Sequence, residues 1–507
     1  MKSLKKLLTC LTTAVCFLSV LGMAQAYEAA TGPTGILKYE KGKAFEGYTL
    51  FSPMIGSKTT YLMDMEGNIV HTWECEYQPG LYAELLPNGN LLRGGRVVQK
   101  LDMEAKSGKK LGKKDLKKYN GIGGVAGIVQ EIDWDGNVVW EYKMSDPGKE
   151  IHHHTFHRMP NGNTLILGFE YMTKKQALKK GRDPKNIPEK DVLHMGASHD
   201  GFWNDFVREV DAKGKTVWEW HVADHMGKGP NQLDFNYVLP KGVGEIYHTY
   251  DWSHFNTVSY IPKTDTIVLN SRNLSEFYFI NHKTGKIEYR WGNPTTHDPK
   301  AKKPTWYDNG DQLIWGQHCA TPLKNGNILL FDNGSEAPES RHSRAVEMDP
   351  KTGKIVWEYH TNHTNSFSSY RQGGVQRLPN GNTLICSSHG GHVLEVTKDK
   401  KIVWEFVNPF VFGKAKCVLT DEDAIPYKVH ENTMWNMLHR AFRYGPDYSG
   451  LAGRDLTPQS YVCGDDCPPF FSAFKRGSSL GDQDDEEYAD EEDDDEDSDE
   501  DVTMQAY

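Results

Sequence analysis

The sequence is short of the materials for a large helical core. Apolar residues fill only 38% of its 507 positions. Beyond the N-terminus no stretch approaches about 18 uninterrupted apolar residues, so no membrane span is expected in the mature chain. A basic excess is missing too. Lys and Arg number 58 against 69 Asp and Glu, giving a formal charge of −11. That excludes the electrostatic footprint of a nucleic-acid binder. Cysteine is scarce, at 8 residues.

The charge is unevenly placed. From Asp482 to Asp501 there are 16 acidic residues and no basic one. Residues 27–481 carry 55 bases and 53 acids, close to balance. The acidity therefore belongs to a tail over 478–507, whose composition cannot bury enough apolar surface to fold alone and is expected to be disordered. At the other end, Lys2, Lys5 and Lys6 precede an apolar stretch from Leu7 to Leu21, and Ala24-Gln25-Ala26 follows. This reads as a secretory signal peptide over 1–26, cleaved after Ala26, which places the protein in the periplasm or outside the cell. A retained membrane anchor is the alternative.

Six cysteines remain after the signal: Cys75, Cys319, Cys386, Cys417, Cys463 and Cys467. An oxidising compartment permits disulfides. Cys463 and Cys467 flank Gly464-Asp465-Asp466, a loop flexible enough to close a small ring, with a metal clip as the weaker alternative.

What is abundant is turn-making and aromatic: 48 Gly, 13 Trp and 24 Tyr. These suit many short strands. One pattern recurs six times. An acidic turn ends in Gly or Lys, and a branched pair then leads to an aromatic. Asp133 to Trp140 is the clearest copy. Asp211 to Trp218, Asp349 to Trp357 and Lys398 to Trp404 repeat it, and His282 to Tyr289 and Asp64 to Trp73 are looser. Each reads as a β-hairpin. A second signature, Asn-Gly-Asn, stands at 88–90, 161–163, 325–327 and 380–382, before an apolar strand each time. A degenerate copy occupies Ile261 to Asp265.

Two hairpins per repeat make a four-stranded sheet, and six such sheets arranged radially protect one another's edges. The expected fold is all-β: a six-bladed β-propeller over 27–477 with long loop insertions at 99–126 and 172–204. Trp140, Trp218, Trp357 and Trp404 are assigned to packing between blades.

Histidine is enriched at 21 copies. Clusters precede the Asn-Gly hairpin in several repeats: His152-His153-His154 in blade two, His254-Phe255-Asn256 in blade three, Gln317-His318-Cys319 in blade four. Strand alternation puts His152 with His154, and His254 with Asn256. Inner strands of a propeller line its channel, so these imidazoles converge on one axial site. Arg272, at the far end of the next strand, adds a fixed positive charge. His389 and His392 are reserve candidates, although Gly390-Gly391 between them reads as a plain turn. Imidazoles with Arg suit an oxyanion. The same imidazoles suit a metal, but Arg272 would repel it.

At this point the sequence resembles the bacterial aryl-sulfate sulfotransferases. The resemblance rests on the aromatic hairpins, the Pro-Asn-Gly-Asn turns, the His254-x-Asn256 motif, the later Arg272 and His318, and it spans about 45–440. It implies an exported six-bladed propeller that moves a sulfuryl group from a phenolic sulfate ester to a phenol acceptor. It implies no nucleotide donor, no cofactor and a channel histidine that is transiently sulfated. By resemblance His318 matches that nucleophile. His254, Asn256 and Arg272 match the sulfate-binding residues. His154 matches the earlier channel histidine, with His152 or His153 if the register slips. Cys463 and Cys467 parallel a short-loop disulfide. The partners implied are the small-molecule donor and acceptor, and a homodimer is left open. The short N-terminal segment and the acidic tail depart from the family pattern. Two other classes stay open: a metal-dependent hydrolase or lyase on a propeller, and a non-catalytic binding propeller.

Overall fold

The computed structural model describes residues 33–97, 122–187, 201–238, 250–362, 367–411, 414–415 and 436–464, apart from 147, 230, 336 and 339–341. The signal over 1–26, the tail over 478–507, Cys417 and Cys467 lie outside these residues.

Six antiparallel sheets of four or five strands form a propeller. Their inner strands are Leu438–Tyr444, Gln78–Leu85, Glu150–Arg158, Phe255–Ile261, His318–Pro322 and Gly374–Arg377. Each touches its two neighbours, and the last touches the first, so the ring is closed. Five blades run outward through consecutive strands. The first blade does not. Tyr48–Pro53, Thr59–Met63 and Asn68–Glu74 take their inner strand, Leu438–Tyr444, from the far end of the chain. That is why the Asn-Gly-Asn signature has four copies and a degenerate fifth rather than six. It also moves the histidine clusters one blade on from the sequence count, to the third, fourth and fifth blades.

A second closure lies on the rim. Gly35–Tyr39 adds a fifth strand outside the sixth blade by pairing with Ile402–Val407. Ser460–Tyr461 does the same for the first blade, against Asn68–Glu74.

The repeat signatures have distinct jobs. The acidic turns join the third and fourth strands of each blade, and the Asp side chain ties the turn, as when Asp133 Oδ1 accepts the Asn137 N–H at 2.8 Å. The next blade's turn carbonyl then receives an indole N–H. Trp73 donates to Asp133 O at 3.0 Å, Trp220 to Gly285 O at 2.9 Å, Trp291 to Gly353 O at 2.9 Å, Trp357 to Lys398 O at 3.0 Å and Trp404 to Met65 O at 2.9 Å. Trp140 and Trp218 also face the next blade, but through Arg158 and His282. In the Asn-Gly-Asn turns the glycine takes a positive φ, +89° at Gly162. The second Asn donates to a Glu of the third strand: Asn90 to Glu131, Asn163 to Glu209, Asn327 to Glu347 and Asn382 to Glu395. Three of these carboxylates hold an Arg on the next blade's inner strand: Glu131 with Arg158, Glu347 with Arg377 and Glu395 with Arg443.

Apolar side chains fill the seams. Phe277 and Trp291 of the fourth blade pack with Ile328, Leu330 and Val346 of the fifth. Fully burying such a side chain contributes roughly 1.5–3 kcal/mol, so the seams stabilise the ring and the polar ties fix its register.

Cys75, Cys319, Cys386 and Cys463 are buried thiols, none bonded to another. Cys463 Sγ lies 3.8 Å from Thr34 Oγ1. Its expected partner Cys467 is outside the described residues.

Candidate active site

The inner strands do not run straight to the axis. Ladder register slips between His152 and Phe156, between Phe255 and Thr257, and between His318 and Thr321. At these bulges the backbone turns left-handed: φ is +52° at His154, +42° at His254 and +60° at Cys319. Such conformations cost free energy in non-glycine residues and gather at functional sites. Here they re-aim the imidazoles.

The result is one buried cluster from four blades. The His154 ring centroid is 4.7 Å from that of His254 and 6.3 Å from those of His318 and His439. Arg272 belongs to the same group: its charge acts on His318, and its guanidinium lies over the Tyr370 ring, 5.9 Å from the centroid. A glycine segment from the second blade closes over the rings. The His154 N–H donates to Gly124 O at 2.9 Å. A Cβ on Gly124 would sit 2.0 Å from the His154 ring, so only glycine fits there.

Each imidazole is oriented from behind. His318 Nδ1 is 2.7 Å from Asn333 Oδ1. Asn333 Nδ2 donates to the carbonyls of Ser369 and Gln372, both at 2.7 Å. Its oxygen is therefore the acceptor, and the network assigns the proton of His318 to Nδ1. Nε2 keeps its lone pair and accepts the Gln372 N–H at 3.2 Å. Burial, with Arg272, His254 and Arg440 nearby, holds this imidazole well below the usual histidine range. His254 Nδ1 is hydrogen-bonded to Asp251. His154 Nδ1 is 2.8 Å from His153 Nδ1, and His153 Nε2 is 3.1 Å from Asp205. Burial and the neighbouring Asp251 raise the Asp205 carboxyl well above the usual range. Asp205 also accepts from the Phe255 N–H at 2.9 Å, so one carboxylate ties the His153 and His254 strands together.

The structure brings His154, His254, Arg272 and His318 together. It treats the remaining candidates differently. Asn256 is completely buried, with Nδ2 donating to Gln317 O at 2.8 Å and Oδ1 accepting from Asn270 at 2.7 Å. His152 bonds to Leu167 O at 2.8 Å. The bulge breaks the alternation that would have set it beside His154. His392 bonds to Glu405 at 2.8 Å, within the outer strands of the sixth blade. His389 is pushed down to about 3 by burial and the nearby Arg371.

Sequence reasoning missed His439, Arg440, Asn333, Asp205 and Asp251. His439 and Arg440 precede no Asn-Gly hairpin, because their blade is completed from the other chain end. The hairpin signature therefore could not flag them, and no other signal in the sequence pointed to them. Among the described residues no group of three His, Cys, Asp or Glu is arranged to hold a metal ion.

The fold and its axial cluster define a propeller that gathers imidazoles and guanidinium groups from four blades at one buried site. A family model described as Arylsulfotransferase (ASST) matches residues 56–409, and the chain belongs to that family. Two curated proteins, both described as arylsulfate sulfotransferase AssT, are similar. That of Escherichia coli O6:H1 is 26% identical over 321 residues, covering 52% of this chain and 50% of that protein. That of Lelliottia amnigena is 22% identical over 284 residues, covering 45% and 43%. The chain spans about half the length of the curated relatives it matches, or less. Among solved structures, a Bacteroides caccae protein of unknown function aligns over 71% of this chain and 94% of its own, at 13% identity and a TM-score of 0.41. The Dos1 propeller aligns over 74% and 87%, at 10% identity and a TM-score of 0.31.

Proposed function

We propose that this protein is an aryl-sulfate sulfotransferase. It moves a sulfuryl group from a phenolic sulfate ester to a phenol through a sulfohistidine at His318, without a nucleotide donor. The observation that carries the reading is the His318–Asn333 bond of 2.7 Å, which leaves a neutral imidazole whose Nε2 lone pair meets only the Gln372 N–H at 3.2 Å among the described residues.

A sulfate ester resists attack while its oxygens carry negative charge, so positioning and charge stabilisation do most of the work. Arg272, His154 and His254 receive the sulfuryl oxygens. Asn256 supports them from behind, by fixing Gln317 next to His318. His318 Nε2 gives up the Gln372 N–H and attacks sulfur, the S–O bond to the phenolate breaks, and a second phenol later takes the group from nitrogen. This is covalent catalysis with ping-pong kinetics. The N-terminal signal supports export to the periplasm or beyond.

The test is incubation with 4-nitrophenyl sulfate and phenol, without added nucleotide or metal. Nitrophenol release that depends on phenol, with a sulfuryl adduct trapped on the His318 peptide, is the expected result. Release without any histidine adduct under trapping conditions counts against the covalent scheme. An active His318→Asn variant rejects that residue.

A further inference from the structure

The scheme above leaves His439 and Arg440 unused. Both lie on Leu438–Tyr444, where the ladder slips between Phe51 and Pro53 opposite them. The closing strand thus bulges toward the axis as the strands of His154 and His318 do. Arg440 is held in place: Nη2 donates to Thr257 Oγ1 at 3.0 Å, and its guanidinium lies over Tyr82. His439 is held by nothing comparable. It is 1% exposed, and among the described residues neither ring nitrogen has a hydrogen-bond partner. Leaving buried polar groups unsatisfied costs roughly 1–3 kcal/mol. A group kept at that cost beside three other imidazoles is a candidate for a partner that arrives with substrate.

Sulfuryl transfer needs such a group. In the net reaction, an aryl sulfate and an acceptor phenol become a new aryl sulfate and a free phenol. One proton leaves the acceptor oxygen and one reaches the donor's phenolate, in separate half-reactions. His318 forms the N–S bond through Nε2 and has Nδ1 committed to Asn333. His154 and His254 have Nδ1 committed to His153 and Asp251. Among these four imidazoles His439 alone has both nitrogens open.

We propose that His439 is the proton carrier of the transfer cycle, an inference that rests on the sulfotransfer reading. As the N–S bond to His318 breaks and the S–O bond to the acceptor forms, the acceptor's phenolic proton passes to His439. As the S–O bond of the next donor breaks, that proton passes to the departing phenolate oxygen. Where the departing phenolate takes no proton, as with nitrophenolate, His439 releases the proton to solvent, and in either case it ends each cycle as it began. Among the described residues, the charged and titratable groups facing it are Arg440, His318 and His154. Burial first, then Arg440 and His318, hold the imidazole well below its usual range. Once protonated it is therefore a ready donor, and the bound sulfate ester, first the product and then the next donor, offsets the positive field while it holds the proton.

The experiment uses His439→Gln and His439→Ala in the full chain. Three readouts are compared: single-turnover adduct formation on His318 from 4-nitrophenyl sulfate, transfer to phenols of graded acidity, and rescue by added imidazole. A nitrophenolate leaves without a proton, so adduct formation should stay near the wild-type rate. Transfer to unsubstituted phenol should fall by about 10²-fold or more. The loss should shrink for acidic phenols that are already ionised, and imidazole should restore part of the Ala variant's rate. Wild-type transfer to phenol by either variant overturns the proposal. So does loss of adduct formation and transfer in equal measure, which marks a structural role. Absence of an adduct in the unsubstituted protein overturns the covalent scheme on which the proposal rests, and absence of any transfer to phenol overturns the sulfotransfer reading itself.

Discussion

Asn333 presents its side-chain oxygen to His318 Nδ1 at 2.7 Å, and it has no freedom to present its nitrogen, which two backbone carbonyls hold. The tautomer of His318, the proposed nucleophile, is thus written into the loop after the second strand of the fifth blade. Asn333→Leu, close in volume, removes the acceptor and lets His318 take the other tautomer. Adduct formation from 4-nitrophenyl sulfate should fall at least tenfold, about 1.4 kcal/mol of barrier. The KM for donor should change little, since no donor contact is lost. An unchanged rate of adduct formation would reject the orienting role.

The acid limb of adduct formation follows from the same site. Neutral imidazole is the reactive form, and burial with the charges of Arg272, His254 and Arg440 lowers the His318 pKa below 6.5. The reactive form therefore persists as pH falls through the ordinary histidine range. The single-turnover rate should stay level between about pH 7.5 and 5.5, while the fold is intact. A midpoint near 6.5 would show that His318 is not held neutral.

The ring was legible in the sequence because its signals are local. Asp133 to Trp140 and Asn161-Gly162-Asn163 each specify a hairpin from adjacent residues. The histidines that precede the hairpins led to His154, His254 and His318. What sequence did not show was everything set by distant pairing. His439 faces His154 only because the last strand joins the first blade. His152 and Asn256 turned away because bulges interrupt the period-two alternation, and nothing in a single sequence marks a bulge. Asn333, Asp205 and Asp251 act from behind the imidazoles, as positions known only once strands are stacked.

The seam between the sixth and first blades depends on a buried ion pair. Arg443 Nη1 is 3.3 Å from Glu395 Oε2, and both side chains are fully buried. Arg443 also donates to Thr49 Oγ1 at 2.8 Å and to Phe45 O at 2.9 Å. Removing one partner of such a pair strands the other charge and costs about 3–5 kcal/mol. Arg443→Met should therefore lower the denaturant midpoint far more than Arg377→Met, whose pair with Glu347 is partly exposed. Equal small losses for the two would mean that the closing seam is held by its apolar contacts alone.

Acid stability gives a test of the channel as a whole. His152 is completely buried and its pKa is lowered to about 4, with burial the main cause. Burial also lowers His154, His318 and His439 well below 6.5. In the unfolded chain each takes a proton near pH 6.5, while in the folded chain it does not. The unfolded state then binds more protons, so stability falls as pH falls below about 6.5, by up to roughly 1.4 kcal/mol per pH unit for each such group. For His152 the window runs from about 6.5 down to about 4. Unfolding free energy measured in urea between pH 7 and 5 should drop steeply. His152→Asn, which retains a donor toward Leu167 O, should flatten the slope by one group's share while shifting the neutral-pH value less. A slope unaffected by that change would mean that His152 titrates alike in both states, and that burial does not keep it neutral.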